Sequence, residues 1–186
     1  MTGAMRFRLA TRADVPAMLA IYRPYVEADT ASFEYEAPSL AAFEARFEAI
    51  MADFPWYVAE EDGAVVGFAY ASRPFERAAY RYLAELSVYV RADCHGHGAG
   101  RGLYGLLERD LTDMGYVSAW ALITKENKAS VAFHERLGYR LMAEMPDAGY
   151  KFGRWLSVVW YRKDLRDAAS PGPAPLRFCQ LNRREE

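Results

Sequence analysis

The segment from residue 82 to residue 100 combines a carboxylate with a run of glycines, and together these could hold an anion and remove a proton. Glu85 lies in a segment, 82–90, where apolar residues alternate with less apolar ones, as in a strand with two unlike faces. Three glycines then precede a predicted helix: Gly96, Gly98 and Gly100. Glycines let backbone N–H groups approach a ligand closely, and a helix N-terminus has about half a positive charge. This order of strand, glycine-rich loop and helix predicts a phosphate or pyrophosphate site beside a possible general base.

The spacing of the glycines distinguishes among nucleotide-binding loops. The P-loop pattern Gly-x-x-x-x-Gly-Lys-Ser/Thr is absent. The letters of a dinucleotide fingerprint occur at 100–105, with Glu126 about 20 residues beyond, but the match begins well after Val90 and falls inside the predicted helix. A dinucleotide-dependent oxidoreductase therefore ranks last. Two explanations stay open: glycines that close a tight turn, and the pyrophosphate-loop pattern Arg/Gln-x-x-Gly-x-Gly/Ala, which 95–100 match except that His95 stands first.

Potential metal ligands also occur in this loop, at Cys94, His95 and His97. Three ligands within four residues strain a tetrahedral site, and no fourth is evident nearby in the sequence. We therefore predict no metal.

Length and composition limit the class of protein. A chain of 186 residues is expected to form one domain, and its net charge of −2 gives no basic footprint for nucleic acid. No apolar run reaches the length of about 20 residues that spans a membrane. The two cysteines, Cys94 and Cys179, are far apart in sequence, which favours a reducing compartment. We expect a cytoplasmic protein.

The elements that must position these residues follow from the hydrophobic periodicity. The predicted strands are 5–9, 56–60, 64–72, 82–90, 116–123, 139–145 and 155–162. The predicted helices begin at the capping box of Thr11 and Asp14, after Ser39, at Gly98 and after Asn127, and Pro24 is expected to disrupt the first of them. Residues 146–149 are predicted to turn between the last two strands. From residue 167 the Pro-rich composition predicts a flexible C-terminal tail, which leaves 1–166 as a single domain.

Several spaced segments, in order along residues 5–163, resemble a known enzyme family. They are Ile21–Tyr22, Thr30–Glu34, Ala71–Phe75, Ala79–Arg81, Glu85–Val90, Asn127–Ser130, His134–Tyr139 and Lys151–Leu156. The sequence is similar to the GNAT N-acetyltransferases and, within them, to the phosphinothricin and methionine sulfoximine acetyltransferases. The resemblance implies an α/β fold, with a mixed, mostly antiparallel, twisted sheet splayed at its centre and helices on both faces. It also implies acetyl-CoA as cosubstrate, a small-molecule amine as acceptor and a homodimer.

The resemblance also implies roles for individual residues. Glu85 would be the general base that removes a proton from the acceptor ammonium, and His134 would protonate the departing thiolate, although a histidine that only packs on the cofactor is as good an explanation. The residues expected to bind acetyl-CoA are Val88 and Val90 through their backbone, and His95, Gly96, His97, Gly98, Gly100, Arg101, Asn127 and Ser130. A thiolate with a pKa of about 8.5 leaves without much help.

The acceptor site is predicted from polar and aromatic residues outside the central loop. Phe33, Glu34, Arg73, Tyr80 and Arg81 are the candidates, because an arginine can pair with the carboxylate of an amino acid. Another amine, such as a polyamine, an aminoglycoside or a protein N-terminus, and a non-catalytic acyl-CoA-binding module are the alternatives. The sequence departs from the phosphinothricin-type pattern at two positions: Leu83 stands where Thr is frequent, and Ser157 where Asp is common.

Overall fold

The strand that contains Glu85 lies at the centre of a seven-stranded sheet. The computed structural model describes residues 4–170 and 172–181. The strands are β1 (Arg6–Leu9), β2 (Trp56–Glu61), β3 (Ala64–Ser72), β4 (Leu83–Val90), β5 (Ser118–Thr124), β6 (Arg140–Lys151) and β7 (Arg154–Asp164). Their order in the sheet is β1-β2-β3-β4-β5-β7-β6, and only the β4–β5 pair is parallel.

Helices cover both faces of this sheet because its central strands have apolar residues on both sides. The α-helices are α1 (Val15–Glu27), α2 (Leu40–Met51), α3 (Ala99–Met114) and α4 (Lys128–Arg136). On one face, Phe43 of α2 packs with Trp56 and Phe68 of the sheet. On the other face, a stripe of α3 that includes Leu103 and Leu107 forms the larger core with β4 and β5. Among the described residues, no helix has the length and apolar character needed to cross a membrane.

The sheet is splayed between β4 and β5. The two strands pair only where Leu83–Glu85 lie beside Ser118–Trp120. Both strands continue, to Val90 and Thr124, but they no longer pair. The predicted fold class is confirmed: a mixed, mostly antiparallel sheet, open at its centre, with helices on both faces.

Two local predictions were wrong, and proline is the reason in both cases. The turn between the last two strands is not at 146–149; β6 continues through these residues with a shift in register and turns at Phe152 and Gly153, where φ is 51° and 74°. Because β6 is an edge strand, the missing N–H of Pro146 leaves no gap in the interior of the sheet. Likewise, α1 does not end at Pro24; it continues to Glu27, and the Ala28 N–H donates to the Pro24 carbonyl at 2.9 Å.

Part of the segment predicted as a tail packs against the domain. The Leu176 N–H donates to the Met114 carbonyl at 2.8 Å, and the Phe178 N–H donates to the Asp53 carbonyl at 2.9 Å. The Phe178 ring is buried in the larger core. The apolar core therefore includes a residue beyond the predicted domain limit at 166.

Candidate active site

A cleft of about 490 Å³ opens where β4 and β5 separate. Its walls are the free length of β4, the glycine-rich loop, the first turn of α3, the end of β5 and α4. It brings together most of the residues predicted to bind the cofactor, namely Val88, Val90, His95, Gly96, Gly98, Gly100, Arg101, Asn127 and Ser130, and it adds His134. His97 is not among the lining residues; its Nδ1 lies 3.7 Å from a carboxylate oxygen of Glu61 instead.

The glycine-rich loop shapes the anion-binding end of the cleft. Gly96 and Gly98 have φ of 84° and 92°, a region that favours glycine, and Gly98 is the residue before α3. The Gly102 N–H is the first in α3 to bond back, to the Gly98 carbonyl at 3.0 Å. The preceding amides of Ala99–Arg101 have no acceptor within the helix, and these residues line the cleft. This arrangement suits a phosphate or pyrophosphate.

His95, which replaces the usual Arg or Gln, fastens the loop to the fold. Its Nε2 lies 2.9 Å from the Tyr25 hydroxyl and 2.9 Å from the Val90 carbonyl, while the Tyr25 hydroxyl also donates to that carbonyl at 2.5 Å. The loop is thereby tied to both α1 and β4. Sequence reasoning missed this role of Tyr25, because Tyr25 lies 65 positions before Val90 on a helix whose other residues indicate only a buried apolar stripe.

Glu85 is not among the residues that line the cleft; it lies on β4 one residue before Leu86, where the lining of the cleft begins on this strand. In the sheet it stands between Ser72 of β3 and Trp120 of β5, at the last paired position of β4 with β5. Its side chain is half-buried, and no hydrogen bond or ion pair to it is found within residues 4–170 and 172–181. Burial raises the pKa of this carboxyl above its ordinary value of 4.5. An unpaired carboxylate with a raised pKa is suited to accept a proton.

His134 is buried on α4, and both of its ring nitrogens have partners. Its Nδ1 lies 2.8 Å from the Ser130 carbonyl, and its Nε2 lies 2.9 Å from the Tyr104 hydroxyl. Because a carbonyl only accepts, Nδ1 of the neutral ring holds the proton and Nε2 is an acceptor for the Tyr104 hydroxyl, which also lies 3.3 Å from the Leu86 carbonyl. Burial lowers the pKa of His134 to about 4, so the ring is neutral near pH 7. Sequence reasoning missed Tyr104, which lies 30 positions away on α3.

Comparison with known proteins bears on this arrangement of cleft, loop and carboxylate. The acetyltransferase (GNAT) domain matches residues 7–160. The chain belongs to the GNAT acetyltransferase family. It is 35% identical to the phosphinothricin N-acetyltransferase of Streptomyces viridochromogenes over 169 residues, which cover 91% of this chain and 92% of that protein. It is also 35% identical to the L-methionine sulfoximine/L-methionine sulfone acetyltransferase of Salmonella typhimurium over 173 residues, which cover 90% and 98% of the two chains.

A solved structure has the same fold at high similarity. The phosphinothricin acetyltransferase of Sinorhizobium meliloti in complex with acetyl-CoA superposes with a TM-score of 0.89 at 33% identity, and the match covers 97% of this chain and 99% of that chain. The predicted family and the predicted N-acetyltransferase activity are confirmed. Acetyl-CoA is the cosubstrate of this GNAT enzyme, as the resemblance implied.

An aromatic wall lies beside Glu85 in the sheet. Trp120, the sheet neighbour of Glu85, packs edge-on against Trp160 with centroids 5.9 Å apart. Phe75 stacks on Trp160 at 5.7 Å and contacts Tyr80 at 4.6 Å. Of the predicted acceptor residues, Tyr80 thus belongs to a cluster that reaches the candidate base.

The other predicted acceptor residues have partners of their own. Glu34 accepts from the Tyr22 hydroxyl at 2.8 Å and from Arg46. Arg73 lies 3.8 Å from a carboxylate oxygen of Asp53. Two further residues complete the predicted set: the Arg81 guanidinium contacts the ring of its neighbour Tyr82, and Phe33 packs against Gly149. The structure therefore does not gather the predicted arginines around Glu85.

The loop that contains Phe33 is anchored by a buried lysine. The Lys151 ammonium is almost fully buried and donates to the carbonyls of Val26, Asp29 and Ser32 at 2.7, 2.9 and 2.6 Å. Burial lowers the pKa of this lysine, but three carbonyls satisfy its three donors. The Phe33 ring also packs directly on Gly149 of β6: a Cβ placed on this glycine would lie only 2.3 Å from the ring. The acceptor loop and β6 thus form one packed unit.

Proposed function

We propose that this enzyme transfers acetyl from acetyl-CoA to the α-amine of a small amino acid or analogue, of the phosphinothricin or methionine sulfoximine type. The observation that supports it most is the unpaired, half-buried Glu85, which adjoins Leu86 at the wall of the cleft along β4 and pairs in the sheet with Trp120 of the aromatic wall. A base at that junction lies between a thioester held in the cleft and an amine on the acceptor side. The names of the two relatives, both N-acetyltransferases of amino acid analogues, support the choice of acceptor.

The proposed reaction is a direct attack. Glu85 removes a proton from the acceptor ammonium, directly or through one water, and the neutral amine forms a bond to the thioester carbonyl carbon. The C–S bond then breaks, and CoA leaves as a thiolate that takes up a proton. The raised pKa of Glu85 suits this role, because a stronger base removes the proton of an ammonium more readily.

His134 was predicted to be the proton donor to this thiolate, and that role stays a prediction. With Nδ1–H committed to Ser130 and a pKa of about 4, the ring has no free proton to give near pH 7. We propose instead that His134 positions the Tyr104 hydroxyl beside the cleft. His134→Gln, which can still donate to Ser130 and accept from Tyr104, should then retain most of kcat, whereas His134→Ala loses it. A loss of 100-fold or more in both variants, with an ionisation near pH 6–7 that disappears, would instead identify His134 as the donor.

Thiol release from acetyl-CoA, measured across a panel of amines, tests the acceptor. The panel contains phosphinothricin, methionine sulfoximine, methionine, spermidine and a peptide with a free N-terminus. Selective turnover of the first two is the expected result. Turnover of spermidine or the peptide alone would keep the chemistry and replace the acceptor.

Glu85→Gln tests the base separately from cofactor binding. The variant should lose at least 100-fold in kcat while its Kd for acetyl-CoA, measured by calorimetry, stays unchanged. Retention of full activity would exclude Glu85 as the base. Acetyl-CoA binding by the wild type without turnover of any amine would favour the non-catalytic module.

We further propose that the enzyme is a homodimer that associates through β6. This strand is an edge of the sheet, and apolar side chains on it, on the following turn and at the start of β7 are exposed, at Leu141, Met142, Tyr150, Phe152 and Trp155. Exposed apolar edges of this kind favour association. Sedimentation of the wild type should give a dimer and Trp155→Glu a monomer; a monomeric wild type would refute the proposal. The cytoplasmic location stays a prediction, in line with two unpaired cysteines.

A further inference from the structure

A second cluster of reactive side chains lies at the glycine-rich loop; of its three residues Cys94 also lines the cleft, whereas Glu61 and His97 do not. Glu61, Cys94 and His97 each place one ligand atom within 4.8 Å of the others. The Cys94 sulfur lies 3.8 Å from a Glu61 carboxylate oxygen, and the His97 Nδ1 lies 3.7 Å from the same oxygen. Sequence reasoning considered Cys94, His95 and His97 and found no further ligand. The fold turns His95 away to Tyr25 and supplies Glu61 from the end of β2.

The spacing of these atoms is close to that of a zinc site. Bonds of about 2.3 Å to sulfur, about 2.05 Å to nitrogen and about 2.1 Å to oxygen, at tetrahedral angles, put sulfur and oxygen about 3.6 Å apart and nitrogen and oxygen about 3.4 Å apart. The observed separations exceed these by roughly 0.2–0.3 Å, which a small side-chain rotation closes. Thiolate, imidazole and carboxylate are also the donor types that zinc prefers over magnesium or calcium.

The surroundings of Cys94 are compatible with a bound cation. The sulfur is buried, and the Glu61 carboxylate is only 13% exposed, so two of the three ligands are held in place by the fold. The Arg91 guanidinium lies 3.3 Å from the sulfur, but Asp93 pairs with it at 2.6 Å and offsets its charge. Asp93 is engaged by Arg91 and is not part of the three-residue cluster, so a water is the fourth ligand that the site would take.

We propose that Glu61, Cys94 and His97 form a site for Zn²⁺. On binding, the Cys94 thiol releases its proton to solvent and the sulfur becomes a thiolate ligand. Acetyl transfer as proposed above needs no metal, so the site is separate from the reaction. Two of the ligands, Cys94 and His97, lie before and after Gly96 in the chain, and the third, Glu61, belongs to β2. A bound ion therefore cross-links the loop that contacts acetyl-CoA to the body of the sheet.

Metal titration of the full chain, after removal of metals with a chelator, tests the site. The wild type is expected to bind one equivalent of Zn²⁺ in competition with a fluorescent chelator. Cys94→Ser, His97→Gln and Glu61→Gln should each weaken binding by 10-fold or more. A matched control should bind like the wild type: Cys179→Ser, which removes the other, exposed cysteine.

Cobalt gives a second readout that does not depend on affinity. Co²⁺ in the site should show thiolate-to-metal charge transfer in the near ultraviolet and strong visible bands of a tetrahedral ion, both absent in Cys94→Ser and present in Cys179→Ser. Hydrogen exchange of residues 91–98 should slow on addition of Zn²⁺. Absence of Zn²⁺ binding in the wild type, or binding that survives in Cys94→Ser and disappears in Cys179→Ser, would overturn the proposal. Circular dichroism of each variant confirms that it is folded.

Discussion

Replacement of His134 by glutamine tests the buried His134–Tyr104 pair through the pH dependence of stability. The pKa of His134 is about 4 in the folded state, whereas an unfolded chain restores its ordinary value of 6.5. Between these values the unfolded state binds more protons than the folded state. The stability that depends on a neutral His134 is therefore complete above pH 6.5 and is lost as the pH falls toward 4.

The size of the effect follows from the two pKa values. At pH 5 the unfolded histidine is almost fully protonated and the folded one is almost fully neutral. The free energy of unfolding is therefore lower at pH 5 than at pH 7.5 by about 2 kcal/mol. The limit below pH 4 is about 3 kcal/mol. Glutamine can make both hydrogen bonds of the neutral ring but does not titrate. His134→Gln should therefore remove this part of the pH dependence.

Urea unfolding of both proteins at pH 5.0 and pH 7.5 measures the effect as a difference of differences. From pH 7.5 to pH 5.0, the free energy of unfolding of the wild type should fall by about 2 kcal/mol more than that of His134→Gln. Carboxylates that titrate in both proteins cancel. Equal losses in the wild type and in His134→Gln would show that His134 is not held neutral, and the hydrogen-bond directions derived for Tyr104 would fail with it.

Three further substitutions address the acceptor side of the site. Glu85→Gln should raise the melting temperature at pH 7.5 and have little effect near pH 4.5. Because burial raises the pKa of Glu85 in the folded state above 4.5, the folded state loses stability as the pH rises from 4.5 through that raised pKa, and glutamine does not titrate. Equal shifts in melting temperature at both pH values would contradict this. Lys151→Met leaves the carbonyls of Val26, Asp29 and Ser32 without their donor and should cost about 3 kcal/mol in chemical denaturation, whereas Lys125→Met, at an exposed lysine, should cost little. Gly149→Ala should raise the KM for the amine but not for acetyl-CoA, since its Cβ meets the Phe33 ring; Gly105→Ala, with open space in α3, should leave both KM values unchanged.

The central unit was predictable because its signals are local. Alternation gave a strand at 82–90, and β4 occupies Leu83–Val90; the glycines gave a helix from Gly98, and α3 begins at Ala99. The splay between β4 and β5 came from family resemblance and not from periodicity, since no local pattern reports where two strands stop pairing. The turn was misplaced because Pro146 and Gly149 usually indicate a reversal, whereas an edge strand accommodates them as an irregularity.

The contacts that sequence reasoning missed all join distant positions. Tyr25 reaches Val90 across 65 residues, Tyr104 reaches His134 across 30, and Lys151 reaches Ser32 across 119. Each of these residues has an ordinary structural explanation in its own segment, as part of a helix stripe or the end of a strand. Their partners depend on the packing of elements, which the order of residues in one segment does not determine. The same holds for Glu61, whose distance from Cys94 is set by the sheet.

The two departures from the phosphinothricin-type pattern both fall near the proposed acceptor site. Leu83 shares a face of β4 with Glu85 by strand alternation, so an apolar side chain stands where Thr is frequent. The Ser157 hydroxyl accepts the Asp147 N–H at 3.2 Å, within the irregular part of β6 that precedes Gly149 and its contact with Phe33. The cofactor cleft contains neither residue. Because these two departures lie outside the cofactor cleft and near the proposed amine site, we expect them to shift the preference of this enzyme between phosphinothricin and methionine sulfoximine and to leave its use of acetyl-CoA unchanged.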